Sequence, residues 1–389
     1  MKKTFIALEI IVAITLTTCS IWQMFISINN SNGVQMPLTN TLVPKVTFVD
    51  RQLSSMSLRQ KVSSLLILHT SGTNTASLIN YIQTYQPGGL IFMSDNIPST
   101  IDELTKTTDQ LQTKPGLPYL LAIDEEGGIV RRLANDTYPA AIELGPQLSS
   151  ATESAFRERS ILLKKAGMNL NFGIIADITS NSMSFIYPRV FSGNPAIASS
   201  HVAAAVAGAK GLTLSTLKHF PGHGETASDS HFTIPTTDVS YNNWRQHDNL
   251  PFTSGIKAGA QVVMFGHLIY SSVDKLPASL SAKWHQIIAT EDSFSGISIT
   301  DDMIMLQQSG DINYADPVVN AINAIKAGNT MLLYVLDHGN SMTNIDPNNL
   351  INGIVSAVND GRLNKTTVET NARRVLTLRH NLKNILTNN

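Results

Sequence analysis

Eight short apolar runs recur along the chain, and each gap between them is wide enough to hold a helix. They are LLILHT 65–70, GGLIFM 88–93, YLLAID 119–124, LNFGIIAD 170–177, STLKHF 215–220, QVVMFGH 261–267, SGISITDD 295–302 and NTMLLYV 329–335. Buried strands that alternate with helical segments are typical of parallel α/β proteins. Eight repeats predict a single catalytic domain built as a (β/α)8 TIM-type barrel.

Polar residues stand at the C-terminal ends of several of these runs. They are Asp124, Asp177, Lys218 with His219, His267, and Asp301 with Asp302. In a barrel these strand ends converge on one face, where the active site is assembled from the following loops. A single such residue is readily explained as a structural cap, whereas their joint placement predicts an active site.

The run KHFPGHGETASDSHFTIP, residues 218–235, follows the fifth apolar run and is broken by proline and glycine. Three interpretations are open: a metal site, an acid/base loop of a hydrolase, or a solvated polar loop. His219 and His223 are four residues apart, but the intervening Phe-Pro-Gly prevents a shared helix face. A non-helical metal site with Asp124 and Asp301 stays open at this point.

The acid/base interpretation has a firmer physical basis. Asp229 and His231 are two positions apart, so a turn can place the carboxylate on one ring nitrogen. That contact fixes the tautomer and raises the basicity of the other nitrogen. An ionised carboxylate across the pocket, Asp301 or Asp302, is a candidate nucleophile. Successive strand residues point to opposite sides, so one of the two faces the substrate, and the pattern does not decide which.

These motifs together resemble glycoside hydrolase family 3, and within it the single-domain bacterial β-N-acetylglucosaminidases (β-hexosaminidases). The run Lys-His-Phe-Pro-Gly-His-Gly followed by Asp-Ser-His is very specific to that family. The likeness extends over MSLRQKVSSLLIL 56–68, PGGLIFMSDNI 87–97, AIDEEGGIVRRL 122–133, NLNFGIIAD 169–177, LPFTSGIKAGAQVVMFGHLIY 250–270, PASLS 277–281 and GISITDDMIM 296–305.

The resemblance implies a retaining exo-β-N-acetylglucosaminidase that acts on peptidoglycan fragments or related glycans without metal or cofactor. It implies that Asp301 is the nucleophile of a covalent glycosyl-enzyme and that His231 is the acid/base, partnered by Asp229. The implied sugar-binding residues are Asp124, Arg132, Arg189, Lys218 and His219.

Four positions depart from the family pattern. Ile129 stands where a basic residue is usual, Glu225 replaces an aspartate, Arg189 lies in a loose version of the usual loop, and no aspartate stands near Thr330. Separately from these departures, three alternatives stay open. They are a family 3 glycosidase for another β-linked sugar, a phosphorylase, and an inactive anchored barrel that only binds glycans.

Charge and cysteine content exclude several classes of function. The chain of 389 residues has 28 Lys and Arg against 29 Asp and Glu, a net charge of −1, which predicts no nucleic-acid partner. The expected partner is a carbohydrate substrate, and we expect a monomer. Cys19 is the single cysteine, so residues 20–389 contain no disulfide, thiolate nucleophile or cysteine metal ligand.

The N-terminus predicts a membrane-targeting segment. Lys2 and Lys3 precede the uncharged stretch 10–28, which is about long enough to span a bilayer. Residues 1–28 are interpreted as an uncleaved signal anchor, with a cleaved signal peptide or lipidation at Cys19 as alternatives. Residues 29–45 are a polar linker and residues 46–389 the catalytic barrel. The protein is expected outside the cytoplasm, membrane-anchored in the cell envelope or secreted.

Overall fold

The computed structural model describes residues 47–113, 116–336 and 345–387, with side chains of the last helix as far as residue 382. In this part of the chain eight parallel strands close into a barrel. The barrel strands are β1 Leu66–Leu68, β2 Gly89–Phe92, β3 Leu120–Ile123, β4 Leu170–Ile175, β5 Leu214–Phe220, β7 Val262–Phe265, β9 Ile297–Asp302 and β10 Met331–Tyr334. Their order around the barrel is β1-β10-β9-β7-β5-β4-β3-β2. Seven of the eight apolar runs contain a whole barrel strand and the eighth, 215–220, misses only the first residue of β5, so the predicted (β/α)8 fold is confirmed.

Helices occupy the segments between the strands. In chain order they are α1 Phe48–Ser55, α2 Leu58–Ser63, α3 Thr75–Tyr85, α4 Ile101–Gln112, α5 Ala141–Leu144, α6 Ser149–Lys165, α7 Pro195–Ala209, α8 Tyr241–Gln246, α9 Asn249–Ala258, α10 Ala282–Glu291, α11 Ile304–Gln308, α12 Pro317–Ala327, α13 Pro347–Asn359 and α14 Lys365–Thr387. Two short strands outside the barrel, β6 Thr236–Thr237 and β8 Ile269–Tyr270, pair in parallel.

The local sequence explains where these elements begin and end. Every residue of β1 to β5, β7 and β10 is buried, because a parallel sheet in a barrel is covered on both faces. Asn194 and Asp316 cap helices that start with proline, whose missing N–H costs nothing at that position. Gly259 and Gly328 end α9 and α12 with φ of 105° and 126°, a conformation that favours glycine.

The predicted signal segment, residues 1–28, and the linker, residues 29–45, lie outside the described residues. No helix in the part of the chain that the structure describes is both long and apolar enough to cross a bilayer.

A cluster of aromatic rings surrounds the end of β5, where the polar loop of residues 221–235 begins. The Phe220 ring is fully buried and contacts four other rings edge-on. Their centroids lie 5.0 to 5.9 Å away and belong to Trp244, Phe252, Phe265 and Trp284. Edge-to-face packing of this kind stabilises a core beyond its buried area, so the start of the loop stands on a rigid base.

The loop between β3 and α5 is held by buried charged groups. Arg159 Nε donates to Asp136 Oδ2 at 2.6 Å, and both side chains are fully buried. Glu125 Oε2 accepts the backbone N–H groups of Arg132 and Leu133. Burial and the nearby Asp136 carboxylate raise the pKa of Glu125 to about 8, because together they outweigh the two N–H groups, which lower it.

We expect Gly208→Ala to destabilise the protein, although alanine is the better helix former. A Cβ at Gly208 in α7 would lie 2.3 Å from the backbone oxygen of Glu153 in α6, so the two helices would have to move apart. Overpacking of this kind lowers the free energy of unfolding by about 1–3 kcal/mol in urea denaturation. The exposed neighbour Ala207 is the control, because Ala207→Gly measures helix propensity alone; a rise in stability for Gly208→Ala would contradict the close helix contact.

The raised pKa of Glu125 predicts a dependence of stability on pH. The unfolded-state carboxyl ionises near 4.5 and the folded one near 8, so this contribution is complete below pH 4.5 and is lost as the pH rises towards 8. Glu125→Gln should therefore lose less stability than wild type between pH 5 and pH 8, by more than about 1 kcal/mol, in urea denaturation. The exposed Glu103→Gln variant should follow wild type, and a Glu125→Gln profile parallel to wild type would show that Glu125 is ionised in the fold.

Candidate active site

A cavity of about 290 Å³ opens at the C-terminal ends of the barrel strands. This volume is near the lower end of the range for small-ligand sites, which suits one sugar ring. Seven of the eight residues predicted for the site line it, and the eighth, Asp229, is hydrogen-bonded to one of them. The seven are Asp124, Arg132, Arg189, Lys218, His219, His231 and Asp301.

A network of alternating charges forms one wall of the cavity. Lys218 Nζ, which is buried, lies 2.8 Å from Asp124 Oδ1 and 2.7 Å from Glu126 Oε1. Arg189 donates to both oxygens of Glu126, and Arg132 Nη2 lies 3.7 Å from Asp124 Oδ2. Burial opposes the ionisation of Glu126, but Arg189 and Lys218 outweigh it and lower its pKa to about 2. These side chains are thereby held in fixed positions beside the substrate space.

The buried carboxylate of Asp177, after β4, holds the start of the loop that follows β5. It accepts the backbone N–H groups of His219 and His223, and its Oδ2 lies 2.7 Å from His219 Nδ1. Because a carboxylate only accepts, Nδ1 of His219 carries a proton and Nε2 is the nitrogen left on the cavity side. His223 instead bonds Ser230 through Nε2 at 3.0 Å. The two histidines share Asp177 through their backbone N–H groups, but their imidazole rings have different partners.

Asp301 and Asp302 end β9, and both border the cavity. Asp302 Oδ1 accepts the backbone N–H groups of Ile304 and Val335, which ties it to the surrounding backbone. Asp301 accepts the N–H of Asp302, and its Oδ2 lies 3.9 Å from His219 Nε2. The contacts thus distinguish the two carboxylates, although both border the cavity and the sequence pattern predicted that only one faces it.

The surroundings of these two carboxyl groups shift their pKa values in opposite directions. Burial disfavours the charge on Asp301, but the field of His219 and His267 and the N–H of Asp302 outweigh it and lower the pKa of Asp301 to about 2. Burial raises the pKa of Asp302 to about 8. The backbone N–H groups of Val335 and Ile304 lower this pKa, whereas the charge of the adjacent Asp301 raises it further. Asp301 is therefore the ionised carboxylate at neutral pH.

His231 and Asp229 form a dyad at the mouth of the cavity. His231 Nδ1 lies 2.6 Å from Asp229 Oδ1, and the backbone N–H of His231 donates to the same oxygen at 2.9 Å. The side chains are 52% and 30% exposed, so the dyad is open to solvent. The imidazole packs edge-on against Phe185 at 5.5 Å, which orients its ring. Since the carboxylate holds the proton on Nδ1, Nε2 is the nitrogen available for proton transfer.

Three contacts fix the course of residues 221–224, the part of the loop after β5 that leads to the dyad. Trp244 Nε1 donates to the carbonyl of Pro221 at 2.8 Å, and Tyr270 Oη donates to that of Gly222 at 2.7 Å. A Cβ at Gly224 would lie 1.7 Å from the carbonyl oxygen of Ile178, so only glycine allows the loop to pass this close.

Two residues of the site were not assigned a role from the sequence. Glu126 links Lys218 to Arg189, and the acid run Asp-Glu-Glu before Gly-Gly was the signal that could have indicated it. Asp177 was noted only as a polar residue after an apolar run. Its function in holding His219 becomes visible only when β4 and β5 are neighbours in the barrel.

The comparisons with known proteins agree with this geometry. The family model described as "Glycosyl hydrolase family 3 N terminal domain" matches residues 57–378. A "Beta-hexosaminidase" of Nitrosospira multiformis is 31% identical over 280 residues, which cover 69% of this chain and 79% of that protein.

Two solved structures have a similar fold. A glycoside hydrolase family 3 β-N-acetylglucosaminidase from Paenibacillus sp. has a TM-score of 0.77 at 26% identity, covering 85% of this chain and 64% of that one. This chain therefore spans less than two thirds of that structure. The M. tuberculosis protein LpqI has a TM-score of 0.75 at 25% identity, covering 84% of this chain and 94% of that one. The resemblance carried by the sequence motifs is confirmed: this chain belongs to glycosyl hydrolase family 3 and is a glycoside hydrolase.

Proposed function

We propose that this protein is a retaining exo-β-N-acetylglucosaminidase that removes terminal β-linked N-acetylglucosamine through a covalent glycosyl-enzyme. The observation that carries the proposal is that an ionised Asp301 and the His231–Asp229 dyad border one cavity of about 290 Å³. The names of the relatives, β-hexosaminidase and β-N-acetylglucosaminidase, support the choice of sugar.

Asp301 has the properties of a nucleophile for the anomeric carbon. Its low pKa keeps the carboxylate ionised at the pH of a cell or its surroundings, and the same property makes it a good leaving group when water attacks the intermediate. It is fixed at the end of a barrel strand, with one oxygen bonded to the N–H of Asp302. A nucleophile on a strand is positioned more accurately than one on a free loop.

His231 has the properties of the acid/base. In the first step its protonated form donates from Nε2 to the glycosidic oxygen, so that the leaving group departs as an alcohol. In the second step the neutral imidazole accepts a proton from the attacking water, and the ester bond to Asp301 breaks with net retention. Asp229 stabilises the imidazolium formed in the second step.

The charge network supplies groups that bind the sugar hydroxyls. Asp124 is 17% exposed and Arg132 19%, so both reach the cavity while remaining held by their partners. Charge-assisted hydrogen bonds from such groups orient the ring against Asp301. The ion pairs among Lys218, Glu126 and Arg189 hold this wall in place, and a cavity of about 290 Å³ has the size for one terminal sugar ring.

The natural substrate in this proposal is a cell-wall glycan fragment outside the cytoplasm. The support is the N-terminal sequence, where Lys2 and Lys3 precede an uncharged stretch.

Asp301→Asn should abolish turnover of 4-nitrophenyl N-acetyl-β-glucosaminide. Asparagine keeps the shape of the side chain and removes the negative charge that attacks the anomeric carbon, so kcat/KM should fall on the order of 10³-fold or more. The measurement is the release of 4-nitrophenol, with the 4-nitrophenyl β-glucoside run in parallel to establish the sugar preference.

The matched control is Asp109→Asn, since Asp109 is exposed on α4 and should leave turnover unchanged. Proton NMR of the first-formed sugar should show the β-anomer. An active Asp301→Asn enzyme, or α-anomer as the first product, would rule out the double displacement with Asp301 as nucleophile.

His231→Ala should affect substrates in proportion to the basicity of their leaving group. The 4-nitrophenolate ion departs without a proton, whereas the sugar hydroxyl released from N,N′-diacetylchitobiose requires one. The value of kcat/KM should therefore fall at least about tenfold further for the disaccharide than for the 4-nitrophenyl glycoside. Both substrates are assayed on one enzyme preparation, which makes each the control for the other. Equal losses on the two would assign His231 to binding and not to proton transfer.

A further inference from the structure

Three side chains outside the cavity lie close together at the loop of residues 221–235, which carries Asp229 and His231 and is called the catalytic loop below. Glu225 lies in the loop that joins β5 to β6, and His247 and Asp248 form the link between α8 and α9. One donor atom from each of the three lies within 4.8 Å of the other two. We call Glu225, His247 and Asp248 the outer cluster, and none of the three is among the described residues that line the cavity.

The environment of Asp248 is the first indication that the outer cluster binds something. Its side chain is 2% exposed, and neither carboxylate oxygen accepts a hydrogen bond from the described residues. The nearby Tyr270 hydroxyl donates to the carbonyl of Gly222, so its proton is used there. Burying a carboxylate whose oxygens accept no hydrogen bond costs several kcal/mol unless a proton or a positive charge offsets it, and a cation bound between Asp248, Glu225 and the imidazole of His247 would supply that charge.

The distances within the outer cluster suit one bound ion. His247 Nδ1 lies 3.5 Å from Asp248 Oδ2 and 3.8 Å from Glu225 Oε1. Two ligands that are each about 2.0–2.1 Å from Zn²⁺ are about 3.4 Å apart at the tetrahedral angle. A small movement of the partly exposed His247 and Glu225 side chains would complete the geometry.

The donor atoms indicate which class of ion is bound. One imidazole nitrogen with two carboxylates suits a first-row divalent metal such as Zn²⁺, whereas Ca²⁺ and Mg²⁺ prefer an all-oxygen set. His247 is 44% exposed and Glu225 29%, which leaves a path for the metal from solvent and room for water to complete the coordination. We propose that Glu225, His247 and Asp248 bind one Zn²⁺ ion or a similar first-row divalent cation.

The position of this site connects it to the catalytic loop. The beginning of the loop is held by Trp244 and Tyr270, through the carbonyls of Pro221 and Gly222. Glu225 stands beyond these anchors and before the dyad of Asp229 and His231. A metal that joins Glu225 to the α8–α9 link therefore fastens the loop to the body of the barrel between the anchors and the dyad. Its role is structural, and no step of the sugar chemistry passes through it.

Zinc binding to the full chain tests the proposal directly. The protein is stripped with EDTA, dialysed into a non-chelating buffer and titrated with ZnCl₂ by isothermal calorimetry. We expect one site of low-micromolar affinity or tighter, and a rise in the thermal unfolding midpoint with Zn²⁺, because a ligand of the folded state stabilises it.

The variants His247→Ala and Asp248→Asn should each weaken this binding at least about tenfold and remove the rise in the unfolding midpoint. The His247 side chain is partly exposed, so His247→Ala keeps the test decisive if the buried Asp248→Asn does not fold, as judged by circular dichroism. His231→Ala is the matched control, because it removes the histidine of the catalytic dyad and should retain wild-type affinity for zinc.

Three results would overturn the proposal. They are no binding at Zn²⁺ concentrations up to about 100 µM, binding that survives His247→Ala, and binding that is lost in His231→Ala. In the first case Asp248 and Glu225 share a proton instead of a metal, and in the last the metal lies in the catalytic cavity. Since none of these measurements uses sugar hydrolysis, they are independent of the proposed catalytic function.

Discussion

The arrangement of the site depends on the ion pairs that the buried Lys218 ammonium group makes with two carboxylates. The group is almost out of contact with water, at 3% exposure, and lies between the carboxylates of Asp124 and Glu126. Glu126 in turn holds Arg189, so β5, the segment after β3 and the turn at 187–189 are tied together by charge. Removing one member of such a buried set leaves its partners unpaired at a cost of about 3–5 kcal/mol, which explains why polar side chains this close to a barrel core stay in place.

The fold could be predicted from the sequence because a barrel strand is buried on both faces. Such strands appear as continuous apolar runs, and the spacing between runs identifies the helices that cover them. β5 illustrates the accuracy, since the run at 215–220 differs from the strand Leu214–Phe220 by one residue. The polar strand ends were visible for the same reason, because Lys218 and Asp301 interrupt otherwise apolar segments near the C-terminal ends of their strands.

What the sequence could not show is which polar groups meet across the barrel. Glu125 and Glu126 are adjacent and alike, yet one is buried under backbone N–H groups while the other carries two ion pairs in the cavity. Asp301 and Asp302 differ in the same way, through contacts made by other segments. These roles depend on neighbours far away in the chain, and neither residue type nor periodicity encodes them.

Asp301 lies at the end of a barrel strand and His231 on a loop, and the proposed mechanism gives a reason for this difference. In the proposed mechanism Asp301 meets one carbon atom twice, first as nucleophile and then as leaving group, and a strand end where one of its oxygens accepts the N–H of Asp302 suits that role. In the same proposal His231 serves two partners in turn, the departing glycosidic oxygen and the incoming water, and its side chain is 52% exposed on a loop. The proposal therefore assigns sugar recognition to the barrel face and contact with the leaving group to the loop.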